Sequence, residues 1–155
     1  GKYLASVSPS MRASFSSDSS SQVRLWKRFI GDERITGESP VYIEANGKFL
    51  STSPLQNNKL FFASVKADEA SLFYIRGIHP SEELAMNHQF ELATIKKDGE
   101  YVVCTTLEKV AGESEICLTL VSEARRDGQE RKFETARRVT FIASPLTSSR
   151  YHGSN

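Results

Sequence analysis

Residues 41–53 read VYIEANGKFLSTS. "VYIEA" (41–45) is rich in β-branched and aromatic residues. It meets "KFLSTS" (48–53) across Asn46-Gly47. A type I′ turn needs positive φ at both central residues, and Asn-Gly supplies it, so the stretch predicts a β-hairpin. The device returns as "QFELATIKK" (89–97), Asp98-Gly99 and "EYVVCTT" (100–106). The returning strand is itself a repeated phrase: Gly1-Lys2-Tyr3-Leu4, Gly47-Lys48-Phe49-Leu50 and Gly99-Glu100-Tyr101-Val102.

Each copy of the phrase opens a longer sentence. A strand-like run entering a polar turn comes next: "ASFSSDSSS", "LFFASVKADEA" and "LTLVSEARRDGQ". A further strand follows: "VRLWKRF", "SLFYIRG" and "RKFETARR". With the incoming hairpin strand, each unit holds four strands. Three such units predict an all-β chain of the β-trefoil kind, because a unit that cannot bury its apolar face alone shares one core with its neighbours. Leu4, Leu50 and Val102 are expected as mates in that core. Trp26, Phe73 and Phe133 form a second expected layer, and Phe15, Phe62 and Leu120 a third. The first unit lacks an incoming strand, and "VTFIAS" (139–144) is left over at the other end. The strand 139–144 is therefore expected to pair with residues 2–6 and complete the first repeat. The domain spans residues 1–144, with repeats of about 1–46, 47–98 and 99–144 and a polar tail at 145–155. No long amphipathic helix is expected, and "HPSEELAMNH" (79–88) reads as a surface loop.

Residues 45–78, "ANGKFLSTSPLQNNKLFFASVKADEASLFYIRGI", resemble a repeat of the fascin-type trefoils, and "GKYLASVSPSMRASFSSDSSSQVRLW" (1–26) resembles the same template. Those repeats carry a Gly-Lys-aromatic-aliphatic strand, an Ala-Ser strand, a polar turn and an aromatic strand. The resemblance implies a β-trefoil and, by family association, actin binding. No actin-contacting residue of the family matches a motif here. The Gln-x-Trp triplet of ricin-type lectins is absent, and Trp26 is the only tryptophan. The basic run of the fibroblast-growth-factor-like ligands is absent too.

The totals narrow the function classes. The chain has 155 residues and a net charge of +1, so no overall field recruits nucleic acid or an anionic membrane. No apolar run reaches the ~18 residues of a membrane helix. Two cysteines, Cys104 and Cys117, do not make a disulfide framework, which favours a cytoplasmic home. Cys104 shares the phase of Val102, whereas Cys117 is out of phase with Leu118 and Leu120. The two are expected as free thiols that do not face each other.

Chemistry finds little purchase in the residue pattern. The serines cluster in turns such as "SFSSDSSSQ", and no Gly-x-Ser-x-Gly elbow occurs. His79, His88 and His152 are scattered and no Cys-x-x-Cys exists, so neither a metal nor a cofactor is expected. His79 and His88 bracket Glu82 and Glu83 in what reads as an ordinary polar loop. Gly31 and Gly37 flank "DERIT" in a connection and make no phosphate cradle.

One charged feature stands out. "ARRDGQERKFETARR" (124–138) sets Arg125, Arg126, Arg131, Lys132, Arg137 and Arg138 against Asp127, Glu130 and Glu134. A hairpin there crowds its cations at the tip, a patch suited to an acidic protein surface. The sequence thus reads as a non-catalytic protein-interaction or scaffolding domain, with those six cations as its candidate site and actin as a candidate partner. It is expected to act as a monomeric domain or as part of a larger chain. A secreted trefoil ligand or lectin, and a targeting domain of a larger enzyme, are the alternative readings.

Overall fold

The computed structural model describes residues 3–7, 11–16, 23–27, 35–52, 58–67, 72–85, 88–110, 112–123, 137–142 and 150–151. They form thirteen strands: β1 (Tyr3–Val7), β2 (Arg12–Ser16), β3 (Val23–Lys27), β4 (Pro40–Ala45), β5 (Lys48–Thr52), β6 (Leu60–Ser64), β7 (Phe73–Arg76), β8 (Gln89–Lys96), β9 (Gly99–Val110), β10 (Glu113–Ser122), β11 (Arg137–Arg138), β12 (Phe141–Ile142) and β13 (Arg150–Tyr151). No α-helix occurs among the described residues, and no helix is long and apolar enough to cross a membrane. The chain is all-β. Every pairing is antiparallel except that of β13 with β3.

The Asn46-Gly47 hairpin forms as its residues require. Ala45 lies opposite Lys48, and both turn residues adopt positive φ, 54° and 80°. The second hairpin turns one residue earlier. Lys96 lies opposite Gly99, so Lys97 and Asp98 make the turn, and Gly99 takes the positive φ of 130°. The Tyr101 hydroxyl donates to Asp98 Oδ2 at 2.7 Å and braces this turn.

Three strands each pair with three others among the described residues: β4 with β3, β5 and β7, β8 with β7, β9 and β12, and β9 with β8, β10 and β11. β12 is thus to β8 what β7 is to β4. This corrects the expected place of residues 139–144. Phe141 lies opposite Phe90 and Ile142 opposite Gln89, while β1 pairs only with β2 among the described residues. The reason is aromatic packing. The Phe141 ring sits 5.8 Å from Phe90 and 6.2 Å from Phe15, so it touches the first unit while its backbone joins the third.

Alternation builds the core. Val41, Ile43 and Ala45 point inward from β4, Phe73 and Ile75 from β7, Phe90 and Leu92 from β8, and Leu118 and Leu120 from β10. Burying each large apolar side chain contributes about 1.5–3 kcal/mol. Phe62 and Leu120 meet in this core with Phe15 packed against it, as the sequence leads one to expect. Leu50 is inside and Leu4 packs on the rim, but Val103 takes the place expected for Val102. The earlier turn of the β8–β9 hairpin accounts for this, since a one-residue slip exchanges the faces of a strand. Trp26 also lies outside the main core, because Val23 and Leu25 already set the inward phase of β3. Phe133 lies outside the described residues.

A candidate protein-interaction surface

Most of the basic segment, Arg125, Arg126, Arg131 and Lys132, lies outside the described residues. Arg137 and Arg138 form β11 and pair with Thr105 and Cys104 of β9. Arg137 is exposed, and its carbonyl accepts a hydrogen bond from Thr105 Oγ1 at 3.4 Å. The described residues therefore fix one end of the candidate patch to β9 and leave the convergence of its six cations open.

A different surface emerges on the outer face of β3, β4 and β5. Residues opposite one another share a face, so Trp26 stands beside Tyr42, Arg24 beside Glu44, and Glu44 beside Phe49. Tyr42 and Phe49 meet edge-on at 5.9 Å and, with Leu72, form a small buried cluster. Trp26 and Tyr74 pack on its flanks and stay half-exposed. The Trp26 indole N–H donates to Glu44 Oε1 at 2.9 Å, which holds the ring in one orientation. The arrangement is a preoriented aromatic platform with a carboxylate on it and the Arg24 position beside it. Aromatic side chains of this kind are enriched at protein interfaces. Strict alternation in "VRLWK" was the available signal, since an inward Leu25 forces Trp26 outward.

The charged groups with most resemblance to a reactive site lie on β9 and β10. Glu108 stands directly opposite Glu115, a like-charge pair that each side neutralises separately. Arg12 of β2 pairs with Glu115, and Lys59 pairs with Glu108 at 2.7 Å. Cys104 lies opposite Thr119 and Cys117 opposite Thr106, so both thiols occupy one face of the ribbon as diagonal neighbours. Each thiol keeps the phase expected of it, Cys104 with Val102 and Cys117 apart from Leu118 and Leu120, but these two phases fall on the same face of the ribbon. Both are buried, and neither is in a disulfide. Diagonal positions sit about 7–8 Å apart between Cα atoms, beyond the span of an unstrained disulfide.

Cys117 is no activated nucleophile. Burial pushes its thiol pKa up, and the nearby Glu108 carboxylate adds to this by repulsion and by accepting the S–H at 3.7 Å; Arg12 and Lys59 only partly oppose them. The folded chain therefore keeps a proton that the unfolded chain releases. Its contribution to stability is intact below the ordinary thiol value of about 8.5 and declines as the pH rises above it. Urea titrations across pH 7–10 are expected to show stability falling at the alkaline end, with the fall reduced in Cys117→Ser. An unchanged slope in that variant would assign the fall to other groups.

The two histidines of the 79–88 loop serve local structure. His79 Nδ1 accepts the Ser81 N–H at 3.1 Å, and His88 Nδ1 accepts the Ala85 N–H at 3.0 Å. Glu82 and Glu83 are exposed, and their backbone joins the 36–37 turn instead: Gly37 N–H donates to the Glu82 carbonyl at 3.1 Å and Thr36 bridges Glu83. No group of three metal-ligating side chains occurs among the described residues. No family model matches the chain, and neither a curated protein nor a solved structure matches it.

Proposed function

We propose that the chain is a β-trefoil domain that works as a non-catalytic protein-interaction module. The trefoil reading rests on the recurrence of one pairing set. In the second and third units, an incoming strand pairs with the phrase strand and with a later strand of the chain, β4 with β5 and β7, β8 with β9 and β12. The binding role is carried by the aromatic platform of Trp26 and Tyr74 over buried Tyr42 and Phe49. The non-catalytic reading is supported by the state of Cys117, whose surroundings favour the unreactive thiol.

Actin enters through the resemblance of residues 45–78 to the fascin-type repeat, and the basic segment at 124–138 offers a charge complement to an acidic filament surface. The direct test is co-sedimentation with filamentous actin at low salt. The chain is expected to pellet above background, with Arg125→Glu and Arg131→Glu together weakening the effect and added salt abolishing it. Absence of pelleting at low salt removes actin from the reading. Trp26→Ala is expected to weaken partner binding while leaving the fold intact, because the ring packs on the periphery of its cluster.

A further inference from the structure

The face that carries the aromatic platform continues onto β8 and β9. Tyr74 stands opposite Ala93, and the Thr94 hydroxyl donates to the Leu72 carbonyl at 2.9 Å. This register sets Ile95 beside Leu72, on the same face as Tyr74 and Ala93. Ile95 is 60% exposed. An apolar row therefore runs from half-exposed Trp26 on β3, over buried Tyr42 and Leu72, to Ile95 on β8. It crosses three strand spacings, about 14 Å, which is the span of about five extended residues.

The charges along this face are unequal. Glu91 lies opposite Arg76, and Glu100 lies opposite Ile95. Arg76 pairs with Glu100 and, at 3.4 Å, with Glu38. One guanidinium thus stands among three carboxylates, and the side chains of Glu38 and Glu100 are 54% and 38% exposed. At the other end, Glu44 lies opposite Arg24 and accepts the Trp26 indole N–H at 2.9 Å, so the charges there balance. Lys97 shares its turn with Asp98, and Lys66 lies beyond Ser64 at the Phe49 end of β4, away from the carboxylates around Arg76.

We propose that this face docks a basic segment of a partner protein, with one lysine or arginine over Trp26 and another among Glu38, Glu91 and Glu100. A cation over an indole face is drawn to the ring quadrupole, and the Trp26 ring is already held in place by Glu44. The long stem of the second cation lies along Ile95 and Tyr74 while its charged head meets the surplus carboxylates. An acidic segment would bring like charges to Glu38 and Glu100. A wholly apolar one would cover those carboxylates without giving them partners. The inference rests on the platform as a protein interface and deepens it by naming the partner's charge. It does not depend on actin, and the basic run at 124–138 suits a partner of the opposite charge.

The test uses the full 155-residue chain, whose only tryptophan is Trp26, so its emission reports on the platform directly. Three end-blocked peptides are titrated: Lys-Ala-Lys-Ala-Lys, and the same sequence with glutamine or with glutamate in place of lysine. Backbone NMR shifts record where each peptide acts. The lysine peptide is expected to shift the Trp26 emission saturably at millimolar concentration or below, and to move signals of β3, β7 and β8. The glutamine peptide is expected to bind about fivefold more weakly, and the glutamate peptide not at all. Glu38→Gln combined with Glu100→Gln is expected to weaken the lysine peptide by about fivefold with little change in Tm, and added salt to weaken it further. Equal responses to the lysine and glutamate peptides would overturn the proposal while leaving the platform as an interface. Lysine-peptide binding that the double variant leaves unchanged would do the same. Response to none of the three at millimolar concentration would overturn both the proposal and the binding role of the platform. The assay contains no actin, so the pelleting result stands apart.

Discussion

Gly37→Ala is expected to lower stability by about 3 kcal/mol, read as a fall in the urea midpoint with little change in slope. A Cβ at residue 37 would sit 2.0 Å from the Ile78 carbonyl oxygen and 2.4 Å from that of His79. Both are backbone atoms, so no rotamer change relieves the clash. The segments on either side are tied together: the Leu84 N–H donates to the Ile35 carbonyl at 2.6 Å, and Ile35 and Leu84 are both buried in the main core. Moving one backbone away from the other would therefore open the core at Ile35, Ile78 and Leu84. Gly47→Ala is the control. Its added methyl meets nothing within 4 Å, so only the φ of +80° resists it, at about 1–2 kcal/mol. If the two variants lose equal stability, the close approach at Gly37 is not what the site requires.

Phe62→Ala is expected to cost about 3–5 kcal/mol. Phe62 is buried, stands opposite Leu50, and lies in the same core as Leu118 and Leu120. Its backbone N–H also donates to the Met11 carbonyl at 2.7 Å, next to Arg12↔Phe61, the described pairing of β2 with β6. The truncated side chain would leave a cavity where the β1–β2 hairpin joins the rest of the sheet. Chemical denaturation gives the loss directly. A loss under 1 kcal/mol would mean that the core collapses around the gap, contrary to its packing.

The second of these sites was legible in the sequence and the first was not. Phe62 follows from the aligned clauses that placed it with Phe15 and Leu120. Gly37 sits in "DERITG", which reads as a connection, because a close approach between distant backbones leaves no local signature. The same distinction runs through the fold. The Asn46-Gly47 hairpin is encoded within a dozen residues and forms as read. The Asp98-Gly99 hairpin was legible as a hairpin but not in its register, since Asp98 takes the second turn position, where the Asn46-Gly47 pattern would place Gly99. That one residue moved Val102 to the other face of the strand, where it is buried with Cys104 and Val121, and Val103 to the main core. Strand 139–144 was legible as a strand. Its partner was decided by Phe141 meeting Phe90 and Phe15, a contact between residues some fifty and more positions apart.

The candidate site divides in the same way. Composition alone singles out the basic run at 124–138, and its charge needs no fold to be seen. The aromatic platform requires knowing which strands lie side by side. Trp26, Tyr42, Phe49 and Tyr74 come from four strands, and only the β3–β4, β4–β5 and β4–β7 pairings gather them on one face. The ion pairs of Arg12 with Glu115 and Lys59 with Glu108 likewise span separate units, so spacing in the sequence carries no trace of them.

The recurring pairing set, β7 on β4 and β12 on β8, is the basis of the fold reading, and the second member is the one that sequence reasoning placed elsewhere. Backbone nuclear Overhauser effects from Phe141 and Ile142 test it most directly. The account predicts cross-strand contacts to Phe90 and Gln89. Contacts from Phe141 and Ile142 to Tyr3–Val7, with none to β8, would contradict it.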